Sequence, residues 1–367
     1  MTNRLFIPQM RPLFGDEEKN EITDYLNEDG YFTEYRRTEF FESEIAKFTG
    51  AKHCIVVNNG TVSLTIAALA LGIKPGDEII VPNYTMIATP NSIKILGAKP
   101  VFVDVEPETL VLDIELTKKA ISSKTKAIML VSSNGRSPKA GVEAFIDLSN
   151  TTGIPIIEDA AQSLGSLYEN GRHIGNCGVV GSFSFSAPKI ISTGQGGALI
   201  TNDDDLAKKI RKLKDFGRAS GGNDIHDSIG FNFKFTELQA CVGISQMRDL
   251  PRRIERKKDI WRLYSYLLRN VEQIKLFKHN LEFCSPWFID SLVENREGLI
   301  NFLKENLIGS RVMYPPINSQ LAYNQKGNYP VSEFVGNNGL WLPSMVQITD
   351  DQIHTICNTI TKFYNKL

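Results

Sequence analysis

The chain reads as an α/β protein: a large domain built on a mostly parallel sheet flanked by helices, followed by a smaller C-terminal α+β domain. Between Lys52 and Asp203, short runs rich in Val, Ile and Phe alternate with helix-like segments, as expected of strands joined by crossover helices. After about residue 230 that alternation weakens and consecutive helical patterns take over. With 367 residues, 42% of them hydrophobic, the chain can bury a large core and divide in two. The expected division is 1–248 and 249–367.

The predicted strands are Cys54 to Val57, Glu78 to Pro82, Lys99 to Val103, Ala127 to Val131, Ile154 to Glu158, Gly181 to Ser186 and Gly197 to Thr201. Between them, Thr61 to Leu71, Thr85 to Leu96, Asp113 to Ile121, Gly141 to Thr152 and Asp204 to Phe216 read as helices, Pro90 weakening the second. Thr236 to Met247 and Leu250 to Arg269 read as two successive helices, the second with a polar, basic face that includes the run Arg252 to Lys258. Glu294 to Asn306 and Asp350 to Lys366 supply two more, with Pro315-Pro316 and Pro330 punctuating loops.

A formal charge of −1 argues against nucleic acid as the main partner. Five scattered cysteines without a Cys-x-x-Cys pair fit neither a zinc site nor a disulfide framework, so no metal is expected and the thiols read as reduced. Met1 to Phe14 carries Arg4, Arg11 and two prolines but no apolar stretch, and no run is long enough to cross a bilayer. A cytoplasmic location is expected.

In open α/β sheets, ligands bind beyond the carboxyl ends of the strands. Asn58-Asn-Gly-Thr61 joins a strand to an alanine-rich helix, where backbone N–H groups and the helix dipole suit a phosphate. A plain turn and cap would read the same way. Asp159 emerges from the apolar Ile154-Pro-Ile-Ile-Glu158. A buried carboxylate there needs a partner, and a pyridinium nitrogen would serve; a helix-capping Asp is the alternative. Lys189 follows Ser182-Phe-Ser-Phe185 and precedes Thr193-Gly-Gln-Gly-Gly197, and burial beside a cofactor would lower its pKa enough for Schiff-base chemistry. Ser184 and Ser186 share one side of their strand.

Taken in order, Asn59-Gly-Thr61, Leu71 to Pro82, Gly97 to Val105, Ile157-Glu-Asp-Ala-Ala-Gln162, Ser182 to Phe185 with Lys189, and Thr193 to Gly197 resemble the DegT-type nucleotide-sugar aminotransferases. These are pyridoxal 5′-phosphate (PLP) enzymes of fold type I, and the resemblance spans nearly the whole chain. It implies that Lys189 carries the cofactor as a Schiff base and shuttles the proton, and that Asp159 binds the pyridine nitrogen. Gln162 would contact the ring hydroxyl, with Ser184 and the backbone of Gly60 and Thr61 on the phosphate. Asn232 would reach the phosphate of a neighbouring subunit, implying a homodimer with shared sites.

By the same resemblance, L-glutamate supplies the amine and a nucleotide-linked keto sugar accepts it, giving an amino sugar for glycan or O-antigen assembly. Leu340-Trp-Leu-Pro-Ser344 and Asp350-Asp-Gln-Ile353 are similar to the perosamine-synthase-like branch, which aminates carbon 4 of a 4-keto-6-deoxyhexose.

The sequence departs from the family pattern on the substrate side. Met86 stands where an aromatic ring usually stacks on the cofactor, Ser132-Ser-Asn-Gly135 replaces His-Leu-Tyr-Gly, Gln195 replaces a glutamate, and Asn318 replaces a histidine after Tyr314-Pro315. Arg136 is expected either at a substrate phosphate or carboxylate or in a solvent-exposed salt bridge, and Tyr314 and Asn318 are substrate candidates. Amination at carbon 3, a dehydratase and a non-catalytic protein on this fold are the competing readings. Lys189 opposes the dehydratases, which carry histidine at that position.

Overall fold

The computed structural model describes residues 6–28, 30–219 and 224–366; Arg4 of the N-terminal stretch lies outside them. Helices α1 (Asp16–Leu26) and α2 (Arg36–Thr49) come first. Then follow β1 (His53–Val57), α3 (Gly60–Ala70), β2 (Glu78–Pro82), α4 (Ala88–Lys94), β3 (Lys99–Val103), α5 (Ile114–Ala120), β4 (Thr125–Val131), α6 (Glu143–Thr152), β5 (Ile156–Asp159), β6 (Val180–Ser184), β7 (Gly197–Thr201) and α7 (Asp204–Lys214). The long α8 (Glu237–Leu267) leads to β8 (Ile274–Leu276), β9 (Ile289–Val293), α9 (Arg296–Glu305), β10 (Arg311–Val312), α10 (Pro330–Asn338), β11 (Gly339–Leu342) and α11 (Asp350–Tyr364).

Seven strands form one sheet in the order β1-β7-β6-β5-β4-β2-β3, and β7 alone runs against its neighbours. The strands are covered on both faces, so they read as continuous apolar runs. Successive residues alternate between two cores: Val56, Ile80, Ile128 and Leu130 face one, and Ile55, Val57, Ile79, Val81, Ala127 and Met129 the other. Burying each Ile or Leu fully stabilises the fold by about 1.5–3 kcal/mol. Four antiparallel strands, β10-β11-β9-β8, make the second sheet, whose core includes Ile260, Tyr264, Leu340 and Ile356.

Every strand and helix expected between Lys52 and Asp203 is present, with shifted ends; α4 starts at Ala88, three residues later than expected. Elsewhere the structure corrects the reading. The two helices expected between Thr236 and Arg269 are one, continuing through Pro251, so the 248/249 division falls inside α8. Pro330 opens α10 as its first residue, where its missing N–H is no loss. The Asp104 carboxylate accepts from the next two N–H groups, Val331 and Ser332, each at 2.9 Å. The run Arg252 to Lys258 is not a wet face throughout, because Arg253 and Lys257 are only 3% and 4% exposed.

Helices α1 and α2 were not expected. The buried carboxylate of Glu237 holds the start of α2 by accepting from the N–H groups of Tyr35, Arg37 and Thr38 at 2.7–2.9 Å. Phe41 of α2 then packs on Phe185 and Phe235 beneath the sheet. Among the described residues no helix is long and apolar enough to cross a membrane. All five cysteines are unpaired, four of them buried and Cys177 half-buried.

Candidate active site

A cavity of about 300 Å³ opens beyond the carboxyl ends of β1, β2, β4, β5 and β6, and one edge is closed by the smaller sheet. Gly60, Thr61, Met86, Asp159, Gln162, Ser184, Lys189 and Tyr314 all line it. Sequence-distant residues meet there because each parallel strand delivers its last residues to the same edge of the sheet.

At the β1 end, Asn59 caps α3: its Oδ1 accepts from the Val62 N–H at 2.9 Å. The N–H groups of Gly60 and Thr61 have no acceptor among the described residues. Ser184 lies against this turn, so closely that a Cβ on residue 60 would stand 2.7 Å from the Ser184 Cβ. Two free N–H groups, a hydroxyl and a helix N-terminus form an anion cradle.

On the floor, the Asp159 carboxylate accepts from the Thr89 hydroxyl at 2.7 Å and the Ala161 N–H at 3.2 Å. Burial raises its pKa, while the Thr89 and Ala161 hydrogen bonds and the Lys189 charge oppose the rise. Burial likewise lowers the Lys189 amine to about 8, with the Asp159 charge working to raise it and the Arg311 charge to lower it. Both groups therefore sit in a dry environment that does not favour their isolated charges.

The Gln162 Oε1 accepts from the Asn134 N–H at 2.8 Å. Met86 is 44% exposed at the rim, its Sδ accepting from the Ala88 N–H. Tyr314 packs edge-on to Trp341 with ring centroids 4.7 Å apart, and Gln195 also lines the cavity.

Three candidates lie elsewhere. Arg136 is 5% exposed and fills an internal ion pair with Asp290 at 2.8 Å, its Nε also donating to the Thr109 carbonyl. It does not line the cavity of Lys189 and Asp159, bordering a separate one instead, and it is not the exposed loop arginine expected. Asn318 is buried against Asn83, accepting its side-chain N–H at 2.8 Å and donating its backbone N–H to the Asn83 Oδ1 at 2.9 Å. Asn232 is exposed, pairs in a bridge with Asp215, and does not line its own chain's cavity.

Among the lining residues that the sequence did not single out are Trp287 and Arg311. The Lys189 Nζ stands over the Trp287 ring, 4.2 Å from its centroid. The Arg311 guanidinium lies 5.5 Å from the Trp341 ring centroid. Among the described residues, Lys189 and Arg311 are the only cationic side chains lining the cavity. No motif marks Trp287 or Arg311, since both enter the cavity only when the smaller sheet docks.

The DegT/DnrJ/EryC1/StrS aminotransferase family model matches residues 12–361. The chain belongs to this family. It is 34% identical over 367 residues to a GDP-perosamine synthase of Vibrio cholerae, covering 98% of this chain and 99% of that one. It is 35% identical over 325 residues to UDP-2-acetamido-2-deoxy-3-oxo-D-glucuronate aminotransferase of Pseudomonas aeruginosa, covering 87% and 89%. Spr1654 of Streptococcus pneumoniae, solved in a PLP form, superposes with a TM-score of 0.92 at 26% identity, over 98% of this chain and 99% of that one.

This DegT-family chain is a PLP-dependent aminotransferase, and its residues fit the cofactor. The cradle at Gly60, Thr61 and Ser184 suits a phosphate, the buried Asp159 suits a pyridinium nitrogen, and the Lys189 amine of lowered pKa suits an aldehyde.

Proposed function

We propose that this nucleotide-sugar aminotransferase moves the amine of L-glutamate to carbon 4 of a nucleotide-linked 4-keto-6-deoxyhexose, yielding an amino sugar for glycan assembly. The observation that carries the reading is the convergence of Lys189 and Asp159 on one cavity beside the Gly60–Thr61 cradle. Bound PLP supplies an electron sink that stabilises the carbanion left when a substrate C–H bond breaks. Lys189 holds the cofactor through its amine and, once released, carries the proton at the carbon that gives up or receives nitrogen. Asp159 keeps a proton on the ring nitrogen. Gly60, Thr61 and Ser184 bind the phosphate, Gln162 the ring hydroxyl, and Met86 packs its thioether on the ring face.

Arg311, the second cation of the cavity, suits a donor carboxylate, and Tyr314 borders the acceptor. Asn232 acts from a partner copy on the phosphate, so the active form is a homodimer with shared sites. Five unpaired thiols agree with work in the cytoplasm. The V. cholerae relative favours carbon 4, whereas the name of the P. aeruginosa relative carries a 3-oxo sugar and keeps carbon 3 as the competing position.

A visible spectrum of the holoenzyme before and after L-glutamate tests the donor half, and turnover of a panel of 4-keto and 3-keto sugar nucleotides tests the acceptor. A cofactor band that glutamate leaves unchanged would overturn the donor. Turnover of 3-keto sugars alone would move the reaction to carbon 3.

A further inference from the structure

We propose that Trp287 is a positioning residue for Lys189: its indole face is the seat on which the Lys189 amine rests whenever that amine is bonded to neither cofactor nor substrate. This rests on reading Lys189 as the cofactor-holding lysine.

The seat is visible directly, with the Lys189 Nζ 4.2 Å from the ring centroid, inside the range of a cation–π contact. The indole is held from several sides. Its Nε1–H donates to the Pro188 carbonyl at 2.7 Å, so one side chain grips both the peptide preceding Lys189 and the Lys189 amine. Its ring stacks on Phe288 with centroids 3.8 Å apart and planes 19° apart. Trp341 closes the far edge at 5.8 Å. A ring packed this way presents a fixed face.

The charged groups facing the amine are Asp159 from β5 and Arg311 from β10, of opposite sign, and the Tyr314 phenol lines the same cavity. No carboxylate pairs directly with Lys189 among the described salt bridges. A ring face suits such a place because it attracts an ammonium without a directional hydrogen bond that would have to break each time the amine moves. Trp287 enters from the smaller sheet and Lys189 from the larger, so the seat exists only when the two sheets are docked.

The test uses the apoenzyme, in which the amine is free, and follows trinitrobenzenesulfonate modification of Lys189 against pH by peptide mass spectrometry. Biosynthetic replacement of tryptophan by mono-, di- and trifluorotryptophan weakens the negative face of the ring with little change of size. The expected result is a midpoint that falls stepwise with fluorine content, by roughly 0.5–1 pH unit overall. Trp287→Phe should keep part of the effect and Trp287→Leu none. Trp261 and Trp341 are fluorinated too, but Lys189 stands over neither ring.

A midpoint indifferent to fluorination would overturn the inference, leaving Trp287 as packing. Borohydride fixation of PLP on the holoenzyme separates this failure from that of the underlying reading. Label on a peptide other than that of Lys189 would overturn the assignment of Lys189 itself.

Discussion

One side-chain amide joins Asn134 to Phe288 across the two sheets: its Oδ1 accepts from the Phe288 N–H at 2.7 Å and its Nδ2 donates to the Phe288 carbonyl at 2.8 Å. Asn134 holds left-handed backbone, φ 55° and ψ 30°, which asparagine tolerates better than most residues. The tyrosine usual in the family at this place is thus replaced by a bracket that fixes Phe288 and the Trp287 stacked on it. Asn134→Gly should keep the backbone yet lose both hydrogen bonds, lowering stability by about 2–4 kcal/mol, because buried Phe288 groups are left unpaired. Chemical denaturation measures the loss, and an unchanged midpoint would mean water replaces the amide.

Lys189→Ala should remove turnover by at least about 10³-fold while PLP still binds through its phosphate, since the proton carrier and the covalent hold go together. The check pairs steady-state rates with equilibrium dialysis of PLP. Transamination at more than a few per cent of wild type would contradict the assignment.

Gly60→Ala should weaken PLP retention about tenfold or more and destabilise the fold by about 1–3 kcal/mol, because the new methyl would stand 2.7 Å from the Ser184 Cβ. Fluorescence titration of apoenzyme with PLP, alongside thermal melting, reads both effects. Equal affinity would show that Ser184 gives way.

Lys257 is buried with its amine donating to the Ser344 carbonyl, and burial lowers its pKa to about 7. Below pH 7 it is protonated both folded and unfolded, and the full cost of a buried charge is present. Between pH 7 and about 10.5 only the unfolded chain holds the proton, so stability rises with pH until both forms are neutral. Lys257→Met should therefore be more stable than wild type at pH 6, by on the order of 2–4 kcal/mol. That advantage should shrink steadily towards pH 10. A pH-independent difference would mean that the amine stays charged in the fold.

If Asn232 serves the partner's cofactor, inactive Lys189→Ala and weakened Asn232→Ala dimers should complement each other. A mixed dimer concentrates both changes in one site and leaves the other intact, restoring up to about a quarter of wild-type activity at random exchange. Lack of recovery after proven exchange would place Asn232 outside the shared site.

Between residues 52 and 203 the fold was legible because apolar runs and turn residues agree with each other at every crossover. Asp159 and Lys189 were legible for a related reason: each interrupts an apolar or small-residue stretch with a charge. The second sheet was not, since β8 has three residues and β10 two, too few to show a period. Helices α1 and α2 were missed because polar contacts such as those of Glu237, two hundred residues away, fix their position. Arg136 and Asn318 misled for the opposite reason. Their positions in the chain suggest ligands, but tertiary contacts hold them away from the cavity: the Arg136 Nη1 pairs with Asp290 and the Asn318 Oδ1 accepts from Asn83.

Helix α8 spans the junction of the two sheets without a loop, and near the other end of the chain Ile7 pairs with Ile308 and Gly309. The smaller sheet is thereby bolted to the larger by a stiff rod and a strap instead of hanging from a hinge. Its Trp287 and Arg311 are thus fixtures of the cavity wall, not the tip of a swinging flap. An acceptor sugar entering this cavity therefore meets a wall to which the smaller sheet contributes Trp287 and Arg311.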